Sequence, residues 1–182
     1  GFNNWMNNPI LKNNKTMGEY AIENGYLAIN TGKVLHNFKP YMWSERGVLD
    51  DYGPLPWNGK KTVIHPSNPV GMAELGALDA TFAPLSDVPQ IPGHESWYNT
   101  KGKKTPFRYV NEDDRDLLTD EKSANFVAKR LKELEQTPDK PFFIACGFIR
   151  PHTPLVVPQK YFDMFPVEDI ELPPLKENDR AD

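Results

Sequence analysis

The order of apolar and polar positions predicts regular structure in two stretches of the chain. In the first, Thr16–Glu19 has the spacing of a capping box, in which a hydroxyl and a carboxylate satisfy free amides at a helix start. The helix is predicted to end at Gly25, because glycine tolerates the left-handed conformation that closes many helices. The apolar run Tyr26–Ile29 then predicts a short strand, followed by a turn at Asn30–Gly32.

The second stretch begins at Thr119, which is a candidate N-cap. Apolar residues then recur at spacings of three and four as far as Leu134, which predicts an amphipathic helix, and Pro138 would end it. Phe142–Phe148 is a nearly continuous apolar run, typical of a strand that is buried on both faces of an α/β sheet. The chain is therefore predicted to be of the α/β class.

Residues 37–111 show no sustained helical or strand period and are rich in glycine and proline. A structureless stretch of this length is uncommon in a small compact domain. We therefore expect 37–111 to be a set of ordered loop excursions that lie over a larger body.

The composition is that of a globular protein and excludes several classes. The 182 residues carry 21 Lys+Arg and 25 Asp+Glu, a formal net charge of −4. Mild acidity without a long basic run argues against nucleic acid as the main partner. No apolar run reaches the length of a membrane span, and the first residues lack the pattern of a signal peptide, which predicts a soluble chain whose targeting segment is absent or already removed. The single cysteine excludes an intrachain disulfide and a cysteine-built zinc site.

A basic or histidine-bearing segment follows each predicted strand. After the first, Lys33 and His36 are three residues apart at the strand end where α/β sheets usually bind ligands. Lys33 could neutralise an anionic substrate, and His36 could orient or deprotonate a nucleophile. After the second, His152 lies between two prolines that restrict its backbone, which suits a catalytic group. A surface lysine and histidines that only bond nearby backbone remain open interpretations at this point.

The other candidate residues have simpler structural interpretations. Cys146 lies inside the most apolar run, where burial would keep its thiol protonated and inert, so it is predicted to be a packed core cysteine. His65 and His94 have no partner at a metal-ligand spacing and are predicted to be structural or exposed. The acidic pairs at 50–51 and 113–114 would need further oxygen ligands that the sequence does not single out, so no metal ligand is assigned.

Two longer segments contain the candidate residues that follow the predicted strands: Glu23–His36, ENGYLAINTGKVLH, and Lys140–Pro154, KPFFIACGFIRPHTP. The first resembles a sulfatase-family segment in which a helix ending in N/H-G-Y leads into a strand and a G-K-x-x-H turn. Lys140–Pro154 resembles that family's second signature, a K-P-F-F-L strand followed by P-H-x-P, and Leu118–Ala124 is similar to the helix start between them. The G-K-V-x-H form and the continuation Pro158–Pro166 are similar to the iduronate-2-sulfatase-like branch.

The resemblance implies an alkaline-phosphatase-like fold, with a largely parallel central sheet flanked by helices, and hydrolysis of a sulfate ester by a formylglycine beside calcium. By matching position, Lys33 would contact the sulfate and the formylglycine, His36 would hydrogen-bond the formylglycine, and His152 would bind sulfate near the leaving oxygen. It also implies a sulfated carbohydrate as substrate, a role in glycan degradation, and an extracytoplasmic compartment that is periplasmic, secreted or lysosomal.

The chain also departs from the family pattern. No stretch matches the C/S-x-P/A-x-R motif from which formylglycine is made, since Cys146 has Phe148 where the motif has proline or alanine. The family's N-terminal paired aspartates and its later D/N-N/H-G motif, which bind calcium, are missing as well. Residues 1–182 are therefore expected to be an internal segment of one sulfatase catalytic domain, truncated at both ends. This segment would act with the remainder of the sulfatase chain and be inactive alone.

Two other functions remain open from the sequence. A phosphodiesterase or phosphonate hydrolase of the same superfamily would keep the fold and change the anion. A non-catalytic protein that binds sulfated glycans would have lost its nucleophile, and a Lys33→Ala change would then weaken glycan binding without any turnover to lose.

Overall fold

The computed structural model describes residues 7–36, 40–57, 60, 62–64, 81–90, 96–99 and 105–174. Within these ranges the helices are α1 (Pro9–Lys12), α2 (Met17–Glu23), α3 (Thr119–Leu134) and α4 (Gln159–Phe162). The strands are β1 (Leu27–Gly32), β2 (Glu45–Arg46), β3 (Leu55–Trp57), β4 (Phe82–Pro84), β5 (Ser96–Asn99), β6 (Thr105–Phe107), β7 (Tyr109–Asn111), β8 (Asp114–Arg115), β9 (Phe142–Gly147) and β10 (Leu155–Val157).

A parallel sheet positions the two segments that carry the candidate chemistry. Its three strands lie in the order β2-β1-β9. β1 and β9 pair along their whole length, with Leu27 opposite Phe142 and Gly32 opposite Gly147. The mixture of helices with parallel strands confirms the predicted α/β class.

Helices α2 and α3 pack on opposite faces of β1. Ala28 belongs to a core cluster with Trp43, against which Ala21 of α2 packs. The Thr31 hydroxyl lies 3.4 Å from that of Ser123 in α3, and both residues are fully buried. Because side chains alternate across a strand, residues 28 and 31 point to different faces. The central strand is therefore covered by helix on both sides.

The first predicted unit is largely confirmed. Glu19 N lies 3.4 Å from the Thr16 hydroxyl, and Thr16 N donates to the Glu19 carboxylate at 2.9 Å, so the capping box is present. Gly25 has a φ of +83°, as expected of the residue that closes the helix. The prediction of a turn at Asn30–Gly32 is wrong, because these residues are the end of β1. Their polar side chains suggested a turn, but Thr31 is buried with a hydroxyl that accepts from Val48 N at 3.0 Å.

The start of α3 differs from the prediction by one residue. Thr119 is the first helical residue, and Leu118 occupies the N-cap position. Leu118 cannot cap through its side chain, and instead the Glu121 carboxylate accepts from Leu118 N at 2.8 Å. The helix ends at Leu134, whose side chain is buried, ahead of the proline that was expected to stop it.

Strand β9 is present as predicted, but it is not buried on both faces. In the part of the chain that the structure describes, β9 is an edge strand, and the Phe142 side chain is 41% exposed. The prediction of a packed core cysteine is also wrong, because Cys146 is exposed. The apolar residues of β9 predicted burial, but a strand is buried on a face only where another helix or strand packs against it. Loss of some surrounding water and the nearby Asp120 carboxylate still raise the pKa of the Cys146 thiol, which keeps it protonated at neutral pH.

The described parts of 37–111 form short strands. β3, β5 and β6 make an antiparallel sheet, and β4 pairs in parallel with β10. A second core lies among them and includes residues from later in the chain; its buried members are Leu85, Trp97, Phe107, Leu118 and Val156. The predictions for His65 and His94 fall outside the described residues.

No helix within the described ranges combines the length and the apolar character that crossing a membrane requires.

Candidate functional site

The ends of β1 and β9 meet so closely that only glycine fits at the junction. Gly32 has a φ of +66°, and a Cβ atom there would collide with the Gly147 carbonyl oxygen. A Cβ on Gly147 would collide in turn with the carbonyl oxygen of Lys33. Lys33 N donates to Gly147 O at 2.9 Å, so pairing continues one residue beyond β1. This approach brings Lys33 to the segment that follows β9.

Lys33 and His152 both contact the side chain of Tyr52. The Lys33 ammonium donates a hydrogen bond to the Tyr52 phenol oxygen, and Nζ is 4.4 Å from the ring centroid. The His152 ring meets the Tyr52 ring edge-on, with 4.8 Å between centroids and 66° between planes. Lys33 and His152, predicted from separate motifs, are thus brought to one place. Tyr52, which contacts both, was not predicted from the sequence. No motif marks Tyr52, which lies in the aperiodic stretch 37–111.

The contacts of His152 define its tautomer. Its ring is exposed, and Nδ1 lies 2.7 Å from the Thr153 carbonyl oxygen. A carbonyl oxygen only accepts, so this contact requires the proton on Nδ1 and leaves Nε2 for an external partner. His152 N also donates to Ile149 O at 2.8 Å, which closes the turn that follows β9. The imidazole is therefore held by its own loop with one nitrogen available.

Asp120 ties the His152 loop to the first turn of α3. Its two carboxylate oxygens accept from Ile149 N at 2.7 Å and from Arg150 N at 3.0 Å. A carboxylate in the first turn of a helix also interacts favourably with the positive end of the helix dipole. The structure adds a bidentate anchor for the loop, formed with the charge-assisted bonds that are stronger than neutral ones.

Arg150 ties the same loop to the segment that carries Tyr52. Its guanidinium is 3.4 Å from Tyr52 O and 3.3 Å from Gly53 O, donating to both. Burial lowers the pKa of the Arg150 guanidinium, while the nearby Asp120 and Asp51 carboxylates act in the opposite direction. Arginine stays charged under such conditions. The Arg150 guanidinium therefore holds the backbone of residues 52 and 53 against the His152 loop.

We predict that Asp120→Ala loosens this loop. Two partly buried amides, those of Ile149 and Arg150, would lose a charged acceptor, which should cost about 2 kcal/mol and speed their hydrogen exchange roughly 30-fold. Amide exchange followed by mass spectrometry measures this effect. Asp139→Ala, at an exposed turn residue, is the control. Equal exchange at residues 149–150 in both variants would show that Asp120 does not anchor the loop.

His36 does not join this cluster in the structure. It is exposed, and within the described residues no hydrogen bond or ring contact links it to Lys33 or His152. Residues 37–39, which follow it directly, are outside the described ranges.

The described residues do not fit a metal centre. Among them, no three or more His, Cys, Asp and Glu side chains group together in a way that could hold a metal ion. A calcium ion beside a formylglycine, as the family resemblance implies, therefore has no candidate ligand set in this part of the chain.

Comparison with known proteins identifies relatives of this chain. No family model matches the chain. A protein named sulfatase from Formosa agariphila is 31% identical over 171 residues, which cover 90% of this chain and 27% of that protein. The iduronate 2-sulfatase of Homo sapiens is 26% identical over 172 residues, covering 89% of this chain and 25% of that protein. The chain is homologous to sulfatases.

The homology confirms the resemblance that the two motifs predicted, and iduronate 2-sulfatases are among the relatives. An arylsulfatase from Clostridium perfringens also matches, with 53% identity over a shorter stretch of 36 residues. The chain spans about a quarter of the length of the sulfatases that it matches over most of its own length.

Proposed function

We propose that the natural polypeptide containing these residues hydrolyses sulfate esters, and that Lys33 and His152 bind the sulfate. The observation that carries this proposal is the pairing of the two side chains around Tyr52 at the ends of neighbouring parallel strands. Ligands of open α/β sheets bind at such strand ends. Homology to sulfatases supports the same reaction, and it also supports an alkaline-phosphatase-like fold for the whole domain.

The chemistry follows from what these side chains can do. Transfer of a sulfuryl group spreads negative charge over its oxygens, so a preorganised ammonium such as that of Lys33 stabilises the transition state. The alcohol leaving group needs a proton as the S–O bond breaks, and Nε2 of a protonated His152 can donate it. His36 is proposed, from the family motif alone, to act on the nucleophile.

The described residues provide no candidate for the nucleophile or for the metal site. The described residues offer no calcium ligand set, and Cys146 lacks the motif for conversion to formylglycine. No step is assigned to either group. We propose that both lie outside residues 1–182, that these residues act with the remainder of a sulfatase chain, and that they are inactive alone.

We further propose a sulfated carbohydrate as the substrate class, within glycan degradation. Two of the relatives carry the name iduronate 2-sulfatase, which supports a sugar ester over a simple aryl ester. An extracytoplasmic site of action, in the periplasm, outside the cell or in lysosomes, is proposed from the same relationship.

The test is sulfate release by the full natural polypeptide. Sulfated saccharides, an aryl sulfate and a phosphate diester are each supplied, and the released anion is measured by ion chromatography. We expect release from the sulfated saccharides and none from residues 1–182 expressed alone. Turnover of the phosphate diester in place of every sulfate ester would instead identify a phosphodiesterase. Binding of sulfated saccharides without any turnover would identify a glycan-binding protein.

A further inference from the structure

We infer that Tyr52 is a positioning residue of the sulfate site. Its hydroxyl holds the Lys33 ammonium, and its aromatic ring holds the His152 ring. This inference rests on the proposed function and extends it to a residue outside both motifs. Tyr52 contacts the two side chains at once, by the Lys33 hydrogen bond and by the edge contact with His152 at 4.8 Å.

The backbone around Tyr52 is anchored on both sides, as a positioning residue requires. Asp51 is 7% exposed, and its carboxylate accepts from Gly53 N at 2.7 Å. The carbonyl oxygens of Tyr52 and Gly53 both accept from the Arg150 guanidinium. Pro54, which follows, is fully buried. A side chain on such a segment has little freedom to move away from its contacts.

A phenol is chemically suited to hold a lysine that must bind an anion. A carboxylate partner would neutralise the Lys33 ammonium, whereas a neutral hydroxyl accepts its hydrogen bond and leaves its charge available. The same hydroxyl can donate its own proton to a sulfate oxygen. The long, flexible lysine side chain is also held near one position before substrate arrives, which lowers the ordering cost of binding.

The ring of Tyr52 has a separate effect on His152. Aromatic rings in edge-to-face contact favour a defined mutual orientation. With Nδ1 held by the Thr153 carbonyl oxygen at 2.7 Å, the ring contact gives the imidazole a second fixed point. Nε2 is then directed by two contacts rather than one.

The experiment compares Tyr52→Phe with Tyr52→Ala in the full natural polypeptide. Tyr52→Phe removes the hydroxyl and keeps the ring. We therefore expect kcat/KM for a sulfated saccharide to fall about tenfold, with a raised KM because Lys33 is less well held for binding the sulfate. Tyr52→Ala removes both contacts, and we expect a further fall in kcat, since His152 is then less well oriented for proton transfer. Tyr161→Phe is the matched control, because a lysine ammonium also lies beside that ring, 5.1 Å from its centroid.

A second readout does not depend on catalysis. Acylation of Lys33 by an amine-specific reagent is followed by mass spectrometry. Tyr52→Phe should speed this acylation several-fold, because the hydroxyl that accepts the hydrogen bond of the amine is then absent. Unchanged kcat, KM and Lys33 labelling in both Tyr52 variants would overturn the inference. If the unaltered polypeptide released no sulfate, the proposed function would fail, and the labelling rate would still decide the inference: faster labelling supports the hold on Lys33, and an equal rate overturns it.

Discussion

Lys33→Ala is expected to lower kcat/KM for sulfate ester hydrolysis by about 10²- to 10³-fold in the full natural polypeptide. The removed ammonium is a preorganised donor aimed at the charge that develops on the sulfuryl oxygens. Loss of one comparable donor in acyl-transfer enzymes costs about 10²- to 10³-fold in kcat. Initial rates over a range of substrate concentrations measure the change. The loss should lie mainly in kcat if Lys33 acts in the transition state.

The control for this variant is Lys129→Ala. Lys129 lies on α3, its side chain is 77% exposed, and its ammonium is 3.7 Å from the Glu133 carboxylate. An exposed pair of this kind contributes little, so kcat/KM should stay within about twofold of the unaltered enzyme. If Lys33→Ala behaved like Lys129→Ala, the assignment of Lys33 to the sulfate would be wrong.

Gly147→Ala is expected to destabilise the domain by about 3 kcal/mol or more. The added methyl group would collide with the Lys33 carbonyl oxygen and backbone, which cannot rotate away as a flexible side chain could. The strand ends would have to separate, so we expect activity to fall as well. Urea denaturation followed by circular dichroism measures the free energy of unfolding.

Gly25→Ala is the matched glycine variant. Gly25 has a φ of +83°, but a Cβ atom there would meet nothing within 4 Å. Its cost is limited to backbone strain, about 1 kcal/mol. A free energy of unfolding for Gly147→Ala equal to that of Gly25→Ala would show that β1 and β9 do not approach as closely as described.

Local chemistry made parts of the fold predictable from sequence. The capping box at Thr16 and the closing glycine at Gly25 depend on residues a few positions apart, and both are confirmed. The two strands were found from short apolar runs, although polar residues hid the end of β1. Thr31 was read as a turn residue because its buried partner, Ser123, is 92 positions away. The sequence shows where apolar residues recur at regular spacing. It does not show which distant residue will hydrogen-bond a buried polar side chain.

The candidate site was predictable only where a motif marked it. Lys33 and His152 follow strands and belong to recognisable patterns, and the structure brings them to one place. Tyr52 carries no pattern, because its position depends on a hydrogen bond from Arg150, 98 positions away. The apolar run of β9 predicted a strand buried on both faces, and this prediction is wrong within the described residues. Side-chain types do not show which other elements pack against a strand.

The Arg150 anchor has a consequence for how such a site can evolve. Arg150 binds carbonyl oxygens, which every amino acid carries, so it recognises the course of the chain at position 52 and not the side chain there. A single codon change at Tyr52 can therefore alter the surroundings of Lys33 while the loop stays fastened. Substitutions at position 52 should therefore change the contacts of Lys33 and His152 while the backbone of this segment keeps its hydrogen bonds to Arg150.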